Sequence, residues 1–296
     1  MDKICAILKE EFSLKEWQAE NVISLIDDGN TIPFIARYRK EKTGEMSDEV
    51  LRDFSERLTY LRTLEDKKAE IMRLIDEQEK LTDEIAKSIE LAKTMTELED
   101  IYRPFRPKRR TRASIAKEKG LEPLSEIILM QDKNTDPYVA AADFVSDEKG
   151  VASAEDAVAG ASDIIAEQIS DNPEFRKIIR ELTLHNALVT SKAASEEDSV
   201  YSLYYDFSEP ASKIANHRLL AINRGEKEGF LSVKLEMDKD IIYNYLIRKT
   251  VKSADTPCGA VVKAAAEDAY ERLIAPSVAT EIRNILTENA QEASIK

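Results

Sequence analysis

Eight Lys or Arg side chains fall between residues 101 and 120, at Arg103, Arg106, Lys108, Arg109, Arg110, Arg112, Lys117 and Lys119, and the one acid among them is Glu118. The stretch is therefore +7 in a chain whose formal net charge is −14, which leaves −21 for everything else. Cations at this density need anions, and two sources are open. Against a nucleic-acid backbone, each engaged Lys or Arg neutralises a phosphate and releases counterions, and Arg forks onto the phosphate oxygens. Tyr102 and Phe105 then offer rings on which unpaired bases stack. Against the protein's own acidic surface, the same two aromatics anchor the arm in the core. Its arginines then hold helical blocks together or face further domains. Both readings stand at the level of sequence.

A smaller group, Arg37, Arg39, Lys40 and Lys42, closes a helix-turn-helix pattern. Its second helix offers Ile, Phe, Ala and Tyr instead of a row of Asn, Gln and Arg for base edges. Contacts from this group are therefore expected to reach backbone only and to be nonspecific. Enzymatic chemistry lacks its parts. His185 and His217 are the only histidines, the eight glycines are scattered, and no G-x-S-x-G, Walker loop or G-x-G-x-x-G occurs. Cys5 and Cys258 stand alone, without the spacing of a zinc module. The expectation is a chain that is not an enzyme, with no catalytic residue, metal ligand or cofactor.

The elements that must position these cations are mostly helices. Gly (8) and Pro (9) are sparse in 296 residues, and Ala, Leu, Ile, Glu and Lys dominate. Ser13-Leu-Lys-Glu16 and Thr96-Glu-Leu-Glu99 have capping-box spacing. Ser47, Thr82, Ser153 and Asn172-Pro173 mark further helix starts. Leu51, Phe54, Leu58, Leu61, Leu64, Ile71 and Ile75 form one apolar stripe at three- and four-residue steps. Pro104 and Pro107 predict an extended 102–107, followed by helical turns at 114–119 and 122–130. Strand-like alternation is clearest at Leu231, Val233, Leu235 and Met237 and weaker from Tyr201 to Phe207. Helices follow over 210–224 and 239–250 and from Gly259 onward, kinked or interrupted at Pro276. The polar stretch 191–199 is the best candidate boundary. The fold class read from this pattern is mainly α, a multi-helix assembly with a helix-turn-helix-like unit and at most a small β element near 229–237. No run of about 18 apolar residues predicts a membrane helix, and two isolated thiols suit a reducing cytoplasm. Residues 121–200 hold 17 acids and 6 bases, so a polyanion is expected to approach only the face that carries the arm.

Four stretches carry a resemblance to a known family: IPFIARYRKEKTG (32–44), LEDIYRPFRPKRRTRASIAKEKGLEPL (98–124), YYDFSEPASKIANHRLLAINRGEKEGFL (204–231) and DAYERLIAPSVATEIR (268–283). They resemble the bacterial Tex family of transcription accessory proteins, in register over nearly the whole chain. The resemblance implies an N-terminal helical, helix-turn-helix-containing domain over 1–195 and the start of a central helical scaffold over 196–296. The family's RNase-H-like domain, helix-hairpin-helix repeats and RNA-binding OB-fold are expected to lie outside this sequence, as in a truncated or short relative. The implied role is a non-catalytic transcription accessory scaffold, with RNA or DNA as nonspecific partner, and with RNA polymerase, the ribosome or the family's C-terminal domains as protein partners. A scaffold for protein interaction, with a purely structural arm, is the alternative.

Overall fold

The computed structural model describes residues 3–107, 110–194 and 199–295. It is mainly α with one small sheet and divides into two compact units, Met1–Tyr102 and Arg103–Lys296. Among the described residues no helix is long and apolar enough to cross a membrane.

The first unit contains α1 (Lys3–Glu11), α2 (Glu16–Asp27), α3 (Ile32–Tyr38), α4 (Lys40–Thr43), α5 (Asp48–Asp76), α6 (Asp83–Leu91) and α7 (Met95–Tyr102). Ser47 Oγ accepts from the Val50 amide at 3.2 Å, and Asp48 and Glu49 set negative charge against the helix's positive end. The expected stripe of α5 is buried throughout. Leu51, Phe54, Leu58 and Leu61 close a core with Ile4, Cys5 and Leu8 of α1, Ala19, Val22 and Leu25 of α2, and Ile35 of α3. Farther along, α6 and α7 pack on α5. Two forked ion pairs strap α5 to the elements before it. Arg57 donates to both Glu11 oxygens at 2.7 and 2.6 Å, and Arg62 to both Asp27 oxygens at 2.7 and 2.9 Å.

Two capping boxes differ from the sequence reading. Ser13 sits at φ 52°, a left-handed conformation unlike that of an N-cap, and α2 begins at Glu16, with Gln18 Oε1 accepting from the Lys15 amide at 3.0 Å. At α7 the cap is Thr94, whose hydroxyl accepts from the Glu97 amide at 3.1 Å, two residues before the expected Thr96. In both places a different residue caps the helix, and a Gln or Glu three residues into it reaches back to an amide before it: Gln18 to Lys15 and Glu97 to Lys93, the latter at 2.9 Å.

The second unit contains α8 (Arg112–Glu118), α9 (Glu122–Met130), α10 (Pro137–Ala141), α11 (Ala154–Ser170), α12 (Pro173–Asn186), β1 (Leu188–Ala193), β2 (Asp206–Pro210), α13 (Asn216–Lys227), β3 (Leu231–Glu236), α14 (Lys239–Thr250), α15 (Pro257–Asp268) and α16 (Ala275–Ile295). The sheet order is β2-β1-β3 and both pairings are antiparallel, with Ser191 opposite Phe207 on one side and Val233 on the other. β3 lies where alternation predicted it. β1 was not expected, because its inward residues are Val189 and the polar Ser191, so no apolar alternation marks it. In place of a strand from Tyr201, a 3₁₀ turn at Ser202–Tyr204 precedes β2. The polar stretch 191–199 begins within β1, whose last three residues are 191–193, and 195–198 fall outside the described residues.

α11 is buried on most sides by Ala157, Val158, Ala161, Ile164, Ile165, Ala166 and Ile169. It packs against α8, α9, α10 and α15. Between α15 and α16 the chain widens into a π-helical turn, Ala269–Ile274. Pro276 follows at once; it has no amide to give the Arg272 carbonyl, and the wider turn absorbs that misfit. α12 and α16 are joined by a buried charge. Arg176, with 0% of its side chain exposed, donates to Glu281 Oε1 and to Ser277 Oγ at 2.9 Å each, and Arg180 Nε reaches Glu281 Oε2 at 2.9 Å.

Two outcomes follow for stability. Glu281→Ala leaves a buried guanidinium without its carboxylate and is expected to cost about 3–5 kcal/mol, read as a lower urea midpoint for the second unit. In the first unit, the hydrogen bonds from Arg57 and Arg62 hold the Glu11 and Asp27 carboxyls below their usual range. Stability from these pairs is present above the unfolded carboxylate range and is lost as pH falls through the lower folded values. Both pairs are partly solvent-exposed, so the share of each is about 1 kcal/mol or less. Arg57→Ala with Arg62→Ala should flatten the acid limb of a stability-against-pH curve and leave the alkaline limb unchanged.

Candidate nucleic-acid interface

The basic arm is neither extended nor loose at its ends. Tyr102 ends α7, and Arg103–Phe105 form a 3₁₀ turn in place of the expected extended run. Proline's fixed φ suits a 3₁₀ turn as well as an extended chain. Arg103 pairs with Asp171, just past α11, at 3.6 Å. At the other end Thr111 and Ser114 cap α8 reciprocally: Ser114 N donates to Thr111 Oγ1 at 3.0 Å, and Thr111 N to Ser114 Oγ at 2.8 Å. Ala113 and Ala116 then bury α8 on α11, where the small Gly160 admits them. A Cβ at Gly160 would lie 2.5 Å from Leu121 Cδ1 and 3.3 Å from the Ala116 Cβ.

With both ends tied to α11, Arg106, Arg110 and Arg112 are exposed. Arg110 reaches Glu118 at 3.3 Å, but with 71% and 61% of the two side chains exposed, this pair holds the arginine weakly. Arg112 acts electrostatically on Asp163 of α11. Burial pushes the Asp163 carboxyl above its usual range, and Arg272 and Arg112 pull it back. Arg272 itself donates to Asp163 Oδ1 at 3.0 Å. Lys108 and Arg109, also named from sequence, lie outside the described residues. The sequence view missed α11 as the platform, which is recognisable only as an Ala- and Ile-rich helix with one glycine, Gly160.

In the first unit, Arg37, Lys40 and Lys42 are exposed and Arg39 is half-buried. Arg39 lies over the Phe34 ring, 5.2 Å from its centroid. The KEKTG segment, read as a loop, is the helical turn α4, closed by Gly44 at φ 70°. It is held from α2: Gln18 Nε2 donates to the Thr43 carbonyl at 3.1 Å and Asn21 Nδ2 to the Lys42 carbonyl at 2.9 Å. These bonds leave the two lysine ammonium groups outward. This cluster and the arm belong to different compact units.

The remaining titratable candidates sit apart. His185 and His217 are exposed on helices, and Cys5 and Cys258 are buried. Burial raises the Cys258 thiol, and its Sγ donates to the Thr135 carbonyl at 3.3 Å. Among the described residues no group of three or more His, Cys, Asp or Glu side chains is arranged to hold a metal ion.

Comparison with known proteins places residues 2–76 in the Tex-like protein N-terminal domain and residues 132–296 in the Tex central region. The arm falls between the two matched stretches. The chain is 44% identical to the Bacillus subtilis protein YdcI over 98% of its own length and 41% of that protein. It is 40% identical to the transcriptional accessory protein Tex of Neisseria gonorrhoeae over 80% of the chain and 31% of the relative. Human S1 RNA-binding domain-containing protein 1 is 29% identical over 98% of the chain and 30% of its own length. The chain thus spans between about a third and two-fifths of these relatives.

The docking of α8 is open to test. Gly→Ala in an exposed helix gains about 1 kcal/mol, but at Gly160 the added carbon enters occupied space. Gly160→Val is expected to reverse the sign, lowering stability by about 1–3 kcal/mol. It should also speed amide exchange in 112–118 more than in α13.

Proposed function

The chain belongs to the Tex family, and from that premise we propose that it serves as a non-catalytic scaffold in transcription whose arm, Arg103–Arg112, grips nucleic-acid backbone without regard to sequence. The single observation that carries this is the exposure of Arg106, Arg110 and Arg112 on a segment anchored at both ends. An arm built only to cross-link helices would bury its guanidinium groups in pairs, as Arg176 is buried. The names of the relatives support the setting: one is a transcriptional accessory protein, another an S1 RNA-binding domain-containing protein. Backbone-directed cations carry no base readout, so affinity should be weak, salt-sensitive and shared by RNA and DNA. Arg37, Arg39, Lys40 and Lys42 form a second backbone contact in the same reading, with α2 and α3 as a helix-turn-helix-like support. Positioning, and not turnover, is the role, since the two histidines are isolated on helix surfaces. The setting is the bacterial cytoplasm, beside RNA polymerase or the ribosome.

A second reading has one observation in its favour: Arg103 and Arg110 already have acidic partners, Asp171 and Glu118. In that reading the arm faces another domain or a protein partner. Fluorescence anisotropy separates the two, with labelled single-stranded RNA and duplex DNA at several salt concentrations. Changing Arg106, Arg110 and Arg112 together to alanine removes three exposed charges. The plot of log affinity against log salt should flatten by about 2 for single strands and about 3 for duplex, with the thermal midpoint kept. Binding equal to wild type in a folded triple variant sinks the nucleic-acid reading of the arm.

A further inference from the structure

Two aromatic rings stand partly in water at the ends of one short cationic segment of the first unit. Tyr38 is the last residue of α3, and 56% of it is exposed, although Ile35, one turn earlier, is fully buried. Its ring meets that of Phe34 at 5.2 Å between centroids, with the planes tilted by 46°, the i,i+4 contact of a helix face. Phe34 also carries the Arg39 guanidinium, 5.2 Å from its centroid, and Arg39 Nη1 donates to the Tyr38 carbonyl at 3.2 Å. Phe34 therefore braces both an exposed ring and a cation. At the other end of the segment, Trp17 of α2 lies against Gly44. A Cβ at Gly44 would stand 3.2 Å from Trp17 Cη2, and 44% of the tryptophan is exposed.

Between the two rings run Arg39, Lys40, Glu41, Lys42 and Thr43. With Arg37 counted, residues 37–42 hold four cations and one acid, in a chain of net charge −14. The backbone there is held in place. Gln18 and Asn21 tie its last carbonyls to α2, and the left-handed Gly44 closes the turn. Aromatics that serve packing alone turn inward, as Phe54 does in α5. Exposed rings interleaved with cations suit a ligand that offers flat apolar faces and regularly repeated negative charge. An unpaired nucleic-acid strand offers both, whereas in a duplex those faces are already stacked on one another. An acidic peptide would satisfy the cations, but it has no series of flat faces for the rings.

We propose that Tyr38 and Trp17 stack bases of an unpaired RNA or DNA strand whose phosphates pair with Arg37, Arg39, Lys40 and Lys42. The proposal rests on the reading of those four cations as a backbone contact, and adds to it the two rings and a preference for single strands. This corner of the first unit thus reads strandedness and not sequence, because every base has a π face. Tyr38 is prepared for the role: Phe34 already supports it from one side, so little freedom is lost when a base settles on the exposed part of the ring.

Trp17 is the one tryptophan of the chain, so its fluorescence reports on this corner alone. Unlabelled oligouridylate added to the whole chain at low salt should quench it, and duplex at equal phosphate concentration should quench it far less. Anisotropy with labelled oligouridylate then compares Tyr38→Ala, Tyr38→Phe and a triple variant, Arg37→Ala with Lys40→Ala and Lys42→Ala, each checked for an unchanged thermal midpoint. Loss of one stacked base should weaken single-strand affinity in Tyr38→Ala by about five- to a hundredfold. Its salt slope should stay that of wild type, since a ring releases no counterions, whereas the slope of the triple variant should flatten by about 2. Tyr38→Phe keeps the ring and should bind like wild type. If Tyr38→Ala also binds like wild type, or if oligouridylate leaves Trp17 unquenched, the two-ring track is overturned. A flatter slope in the triple variant would still keep the backbone contact. Equal quenching by duplex overturns the single-strand preference. If wild type neither binds oligouridylate nor loses fluorescence at low salt, both readings are wrong, and the corner is left to a protein partner.

Discussion

The second unit depends on one crowded helix. α11 must be small on several sides at once, because α8, α9, α10 and α15 all pack against it. Ala157, Ala161, Gly160 and Ala166 provide the close approaches, and Ile164, Ile165 and Ile169 fill the spaces between neighbours. Interiors pack at crystal-like density, so a single methyl at such a crossing displaces something. At Gly160 the displaced atoms belong to Leu121 and Ala116, the residues that seat α8 and its exit turn. The direction of the basic arm is thus a consequence of helix packing several residues away.

Charge is handled differently at the centre and the rim of that unit. Arg176 is fully buried and receives a carboxylate, a hydroxyl and a neighbouring arginine sharing the same Glu281. A buried pair of this kind ties α12 to α16 in one arrangement, since any slippage strands a charge in low dielectric. Asp163, Asp268 and Arg272 join α11 to the π-helical turn in the same manner at a half-buried depth. On the rim, by contrast, Arg106, Arg110, Arg112 and Lys149 are exposed, and the Arg110–Glu118 pair there is a weak, solvated one. The chain's acids neutralise the interior cations and leave these outer ones accessible. That gradient separates structural cations from cations that face a partner.

Much of this was legible in the residues. The stripe of α5, the caps at Ser47, Thr82, Ser153 and Asn172, the bounds of α9 and α14, and the alternation of β3 all express local physics: periodic burial and orphan amides near a Ser, Thr or Asn oxygen. The failures were local ties decided by context. Ser13 and Thr96 had the right spacing for caps, and Lys15 and Thr94 took the position instead. Pro104 was compatible with two backbone states, and the chain adopts the 3₁₀ turn there. β1 carried no signal, because a central strand whose inward residues are Val189 and Ser191 is held by its neighbours' hydrogen bonds and not by its own pattern.

The sequence by itself determined most of the helices, the strand β3 and where positive charge is concentrated, since periodicity, capping and charge counts depend on residues within a few positions of each other. Only the tertiary structure decided which cations are buried and which face solvent. Those outcomes depend on partners about a hundred residues away for Arg176 and Glu281, and about thirty for Lys119 and Gly150. A linear count treats Arg176, Arg112 and Lys149 alike. Burial separates them, because the cost of a charge is set by the dielectric and the acids around it, and both are properties of the folded chain.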